Sequence, residues 1–260
     1  MSESSNVEQP VGAVPPRSFD RVFRSVQDVQ GWMTRAQAGR LWDRASELES
    51  GAQVVEIGSF HGRSIIVMAS AAPEGVCLIA IDPHGGNDRG PQEIQGFETE
   101  AEADHLQFLA NLEATGVRDR VTHLRMYSNV AHAEVDGAVD LLYIDGAHRF
   151  GPARQDIRSW GARVAPGGVM LIHDSFSSIG VTAALAVELF TSASFAYEGR
   201  SGSMTQYRRR PVGLRGRVAN LAGQAASLPW FMRNLVIKGL IVARLGRLTR
   251  FLGGNGYWPY

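Results

Sequence analysis

The chain has 260 residues, 44% of them hydrophobic, enough to bury the core of one large domain with an extension. A single cysteine excludes a disulfide framework, and the apolar run VCLIAID around Cys77 predicts a small buried thiol. The net charge of zero conceals an asymmetry: residues 1–195 hold 25 acidic and 15 basic residues, a balance of −10, whereas residues 196–260 hold 11 basic residues and one acidic, Glu198, a balance of +10.

Residues 1–17 (MSESSNVEQPVGAVPPR) lack the basic start and apolar centre of a secretory signal, and their composition predicts disorder. No run of about 18 apolar residues suggests a spanning helix, so a cytoplasmic location is expected. A globular domain is expected over 18–210, with a basic extension over 211–260. After a helical amino-terminal segment, VQGWMTRAQAGRLWDRA, apolar runs alternate with amphipathic stretches. QVVEIG (53–58), VCLIAID (76–82), RVTHLRM (120–126), VDLLYID (139–145) and GGVMLIHD (167–174) read as strands. SIIVMASAA, the segment around ADHLQFLANLEATG, GPARQDIRSWGARV and VTAALAVELF read as helices. Short, continuous runs of Val, Ile and Leu suit parallel strands covered on both faces, and the alternation implies a doubly wound, Rossmann-like α/β sheet. Ligands of such sheets sit beyond the carboxyl ends of the strands, so the residues just after each strand matter most.

The first strand runs into EIGSFHGRS. Gly58 permits a tight turn and close ligand approach, and Gly62 lets the next helix pack near the strand. The G-x-x-x-G spacing differs from the G-x-G-x-x-G of dinucleotide folds and disfavours a nicotinamide oxidoreductase. The second strand ends at Asp82, about 20 residues past Gly62, where a carboxylate accepts both hydroxyls of a ribose.

These motifs, with LLYIDGAHRFGPARQDIRSW, PGGVMLIHDSF and GSMTQYRRR, resemble the class I S-adenosylmethionine-dependent methyltransferases. Within them the likeness is to the metal-dependent O-methyltransferases of macrolide sugars, mycobacterial sugars and cephalosporins, over roughly residues 26–210. The resemblance implies a seven-stranded sheet and a cofactor site in which Gly58, Ser59 and Gly62 line the methionine part. Glu56 would order that loop, Asp82 would hold the ribose, Ser128 would touch the adenine, and Asp145 would stand beside the sulfonium and a divalent ion. The acceptor would be a hydroxyl of a sugar or glycosylated metabolite. For Glu56 a purely loop-ordering role stays open, and for Ser128 an ordinary helix cap.

A hydroxyl is a poor nucleophile at neutral pH, so methyl transfer to it benefits from a Lewis acid and a base. Asp145 and Asp174 end neighbouring strands, about 4.8 Å apart, close enough to share one Mg²⁺ or Mn²⁺. His148, three residues past Asp145, is the expected general base. His173 stands where several relatives carry an acid; as a ligand it would favour Mn²⁺, and strand alternation equally allows it to point away. Asp156 reads as a structural partner outside the site.

His61 is expected to brace the cofactor loop and His84 to reach substrate, while His105, His123 and His132 read as packing or surface positions. Residues 83–104 read as an acidic lid or a plain insertion, and Trp32 as a site cover or a helix anchor. In the tail, Arg233, Arg244 and Arg247 fall on one helical face, which suits an anionic membrane, docking on the acidic domain, or a homo-oligomer contact. Nothing in the chain has the zinc spacing or basic-aromatic platform of a nucleic-acid binder. A catalytically silent cofactor-binding partner protein is a second reading, disfavoured because such a protein has no use for a base and metal ligands together.

Overall fold

The computed structural model describes residues 18–85 and 98–253, without the side chains of 98–100. The amino-terminal 17 residues therefore lie outside the described part, as does most of the stretch read as a lid. Two helices open the fold, α1 (Phe19–Ser25) and α2 (Arg35–Ser46), the second started by a capping box in which Thr34 and Gln37 exchange side-chain and backbone hydrogen bonds. Then follow β1 (Gln53–Ile57), α3 (Arg63–Ala71), β2 (Cys77–Ile81), α4 (Glu98–Ala114), β3 (Val121–Leu124), α5 (Ser128–Ala131), β4 (Val139–Ile144), α6 (Phe150–Gly161), β5 (Val164–Ile172) and α7 (Ile179–Glu188). A hairpin, β6 (Phe195–Ser201) and β7 (Met204–Arg209), precedes α8 (Leu214–Ala225), α9 (Leu228–Val242) and a 3₁₀ segment over Gly246–Leu252.

The seven strands form one sheet in the order β3-β2-β1-β4-β5-β7-β6. The first five are parallel, and β7 pairs antiparallel with both β5 and β6. Continuous apolar strands feed two cores because alternate side chains leave opposite faces. Val54, Leu78 and Leu141 join a core with α1, α2 and α3, while Val55, Ile79 and Leu142 join one with α6 and α7. Strand order reverses between β1 and β4, so their carboxyl ends and the loops beyond them form the expected ligand crevice.

Several expectations are corrected. Cys77 is exposed rather than buried, because it opens β2 at the sheet's rim before the buried part of the strand begins. Residues 98–104, read as part of a lid, belong to α4. The fifth strand starts at Val164, three residues before the run that announced it. In the tail, α9 stops at Val242 and Arg244 takes a left-handed φ of 61°, so Arg244 and Arg247 do not continue the helical face of Arg233.

Candidate active site

The loop after β1 is built around a close crossing of two strand ends. Gly58 has φ +86°, and a Cβ there would lie 2.4 Å from the Asp145 carbonyl oxygen, so only glycine lets the ends of β1 and β4 approach this closely. Backbone bonds fix the crossing: Asp145 N donates to Ile57 O at 2.8 Å and Gly58 N to Ile81 O at 2.9 Å. Asp82, just past β2, clamps the same loop. Its Oδ2 accepts from the amides of Ser59 (2.9 Å) and Phe60 (2.8 Å), and its Oδ1 from His84 N (2.7 Å).

Glu56 is fully buried and accepts from the Ser64 hydroxyl at the start of α3. Burial pushes its carboxyl up to about 8, with the Ser64 and Ser59 hydroxyls pulling the other way. Glu56 Oε2 and Ser59 Oγ are buried without a well-formed hydrogen bond, which leaves polar capacity at this loop for a ligand. His61 Nε2 meets Asp104 Oδ1 at 2.8 Å and ties the loop to α4. Trp32, half-buried, stacks on Phe60 with ring centroids 5.9 Å apart.

At the ends of β4 and β5, ligand atoms of Asp145, His148 and Asp174 lie within 4.8 Å of one another. Tyr143, two residues before Asp145 on β4, donates its hydroxyl to Asp145 Oδ2 at 3.1 Å. His148 Nε2 contacts Asp174 Oδ2 directly. Asp174 adopts φ 54°, and its carbonyl accepts from Ser177 N (3.1 Å) and Ser178 N (2.8 Å), making a tight turn into α7. Ser178 Oγ in turn donates to His148 O at 3.1 Å. At Gly180, a Cβ would lie 2.2 Å from His148 O, so the glycine allows α7 to pack against the histidine loop.

His173 is not one of that trio. Its side chain is buried beneath the carboxylates, with Nδ1 3.1 Å from Asp145 Oδ1 and 3.6 Å from Asp174 Oδ2. Neither contact is aligned as a hydrogen bond. Burial alone would lower the imidazole, but Asp145 and then Asp174 overcome it and raise it to about 10. Reciprocally, burial would raise the carboxyl of Asp174, and the opposing charge of His173 with the contact from His148 holds it well below the usual range.

Ser128 Oγ donates to Asp156 Oδ1 at 2.5 Å, and burial raises the Asp156 carboxyl to about 6, partly offset by that bond. His84, expected to reach substrate, is buried with Nε2 2.9 Å from Phe60 O. It packs against the rings of His105, His123 and Phe108 at centroid distances of 5.1–5.4 Å. Tyr143 is a site residue that the sequence did not announce, hidden inside an apolar strand.

Residues 55–175, which carry both loops, match a family model described as a methyltransferase domain. Among solved structures, a Corynebacterium glutamicum protein superposes with TM-score 0.57 at 14% identity, covering 74% of this chain and 91% of its own. The O-methyltransferase NovP superposes with TM-score 0.54 at 13% identity, covering 69% and 83%. TomG, an O-methyltransferase from Streptomyces achromogenes involved in tomaymycin synthesis and solved with S-adenosylmethionine, gives 0.50 at 15% identity, covering 77% and 92%. A domain match that spans the glycine loop and both carboxylates, on a sheet of this order, makes residues 55–175 similar to a methyltransferase domain, and the solved neighbours share its fold.

Proposed function

We propose that the chain transfers the methyl group of S-adenosylmethionine to a hydroxyl of a sugar or glycosylated metabolite, with Asp145 and Asp174 holding a divalent cation and His148 serving as general base. The observation that carries this reading is the contact of the Asp145 backbone with Gly58. It brings the carboxylate–imidazole trio against the cofactor loop, where an acceptor oxygen must meet the methyl carbon. NovP and TomG, both O-methyltransferases, share the fold, and the sugar class follows from the sequence resemblance.

The donor set suits Mg²⁺ or Mn²⁺: the carboxylates of Asp145 and Asp174 would hold the ion, with His148 beside them. When bound, the ion would lower the pKa of the acceptor hydroxyl and stabilise the developing alkoxide. The remaining work belongs to side chains. With Asp174 ionised, His148 donates through Nε2–H, leaving Nδ1 as the basic nitrogen that takes the acceptor proton. Tyr143 holds Asp145 at the strand end. His173, as an imidazolium beneath two carboxylates, balances their charge, so cation binding should release a proton from it.

A second reading, an ion-free His148–Asp174 dyad, is favoured by their direct contact. Labelled-methyl transfer to a panel of hydroxylated saccharides separates the two. The metal reading expects loss of transfer in EDTA and recovery with Mg²⁺ or Mn²⁺. Undiminished transfer in EDTA favours the dyad, and label found on nitrogen or carbon overturns the hydroxyl acceptor.

A further inference from the structure

Helix α9 has two unlike sides. Its inner side meets the domain through buried Ile237, through Asn234, whose Nδ2 donates to Phe176 O, and through Lys238, whose Nζ donates to Ser177 O at 2.8 Å. Its outer side carries Leu228, Met232, Val236 and Val242, all exposed, at helical spacing and with no charged residue among them. Helix α8, two residues upstream, repeats the pattern: Leu214, Val218 and Leu221 form an exposed apolar stripe flanked by exposed Arg215 and Arg217. Beyond α9, Phe251 is 89% exposed between the exposed Arg247 and Arg250 side and Leu248. Single exposed apolar residues are ordinary, but two successive helices with exposed apolar stripes, followed by exposed Leu248 and Phe251 among exposed arginines, are not.

We infer that this carboxyl-terminal face docks on an anionic lipid surface and seats the methyltransferase peripherally on a membrane. Charge selects this occupant. No acidic residue follows Glu198, so the face offers cations and apolar groups without a carboxylate to pair them. A second copy meeting it symmetrically would set arginines against arginines. The acidic remainder of the chain, at −10, is repelled by the same lipid and orients the tail towards it. The face lies on the membrane rather than through it: the 15 residues of α9 rise about 22 Å against a hydrocarbon core of about 30 Å, and among the described residues no helix is long and apolar enough to cross. The inference is independent of the acceptor and of the cation.

Sedimentation of the full-length protein with vesicles tests it, using phosphatidylcholine alone and phosphatidylcholine mixed with phosphatidylglycerol, at low and high salt. S-adenosylmethionine affinity serves as the folding control, since the substituted side chains are exposed. Binding is expected only with the anionic vesicles and should fall steeply with salt. Arg247→Ala and Arg250→Ala should each weaken it about fivefold. The double substitution Met232→Gln, Val236→Gln should weaken it at least about tenfold. The inference is overturned by protein that stays in the supernatant with anionic vesicles at low salt, by partitioning that none of these variants changes, or by a dimer in solution that the glutamine variant dissociates.

Discussion

Asp174 is touched from two sides by imidazoles 25 residues apart in sequence, and their environments assign them different work. His173 is sealed beneath the carboxylates and charged by them, whereas His148 lies on the loop at the rim with one nitrogen on Asp174. His148→Ala should therefore lower the catalytic constant about 10²–10⁴-fold on an accepted substrate while calorimetry shows unchanged S-adenosylmethionine affinity; a parallel loss of both would make the histidine structural. Glu56 gives a prediction in pH. Its folded carboxyl is raised to about 8 by burial from an ordinary value of 4.5, so between those values the folded chain binds more protons than the unfolded one. Stability of the ligand-free protein should fall as pH rises through that window, by up to about 1.4 kcal/mol per pH unit. Glu56→Gln should flatten that slope in denaturant melts, and an unchanged slope would show that Glu56 ionises freely. At this scale the sequence was legible where a carboxylate ends an apolar strand, as at Asp82, Asp145 and Asp174. It was illegible at Tyr143, which reads as one more core aromatic, and at the hydrogen bond between Ser128 and Asp156, which lie 28 residues apart.

The five parallel strands announce themselves because most of their positions are apolar and buried, Glu56 in β1 and Thr122 in β3 being among the exceptions. The hairpin of β6 and β7 does not, since FAYEGRS carries glutamate and arginine on the sheet edge and MTQYRR, largely buried between β5 and β6, still mixes Thr, Gln and Arg with its apolar residues, and only the family resemblance implied seven strands. Helix α9 was legible as amphipathic, but its break at Ala243–Arg244 was not, because no proline or glycine stands at the left-handed residue. Its tertiary role was equally hidden. Asn234 and Lys238 hold the carbonyls of Phe176 and Ser177, two and three residues after Asp174, and so act as positioning residues for the turn that presents that carboxylate. Asn234→Ala should cost about 1–3 kcal/mol in thermal or denaturant melts, because it takes a hydrogen-bond donor from a buried carbonyl. It should also raise the acceptor KM while leaving S-adenosylmethionine affinity, which the proposed function assigns to the β1 loop, unaltered. Lowered stability with unchanged KM would reduce its role to packing.

For the molecule as a whole, the sheet brings together groups far apart in sequence: the glycine loop of β1, the clamp of Asp82 after β2, and the polar ends of β4 and β5 meet because strand order reverses between β1 and β4. The basic tail closes the arrangement from the carboxyl-terminal side, with its inner face on the Asp174 turn and its outer face open. The divalent-cation site proposed at this convergence can be tested without knowing the acceptor. Mn²⁺ added to the full-length protein can be followed by the electron paramagnetic resonance of the free ion. One bound ion per chain is expected, displaced by Mg²⁺, with affinity reduced at least about tenfold by Asp145→Asn or Asp174→Asn and proton uptake or release on binding altered in His173→Gln. Mn²⁺ that remains free in the presence of excess protein, or that binds equally to the wild-type, Asp145→Asn and Asp174→Asn chains, would contradict it.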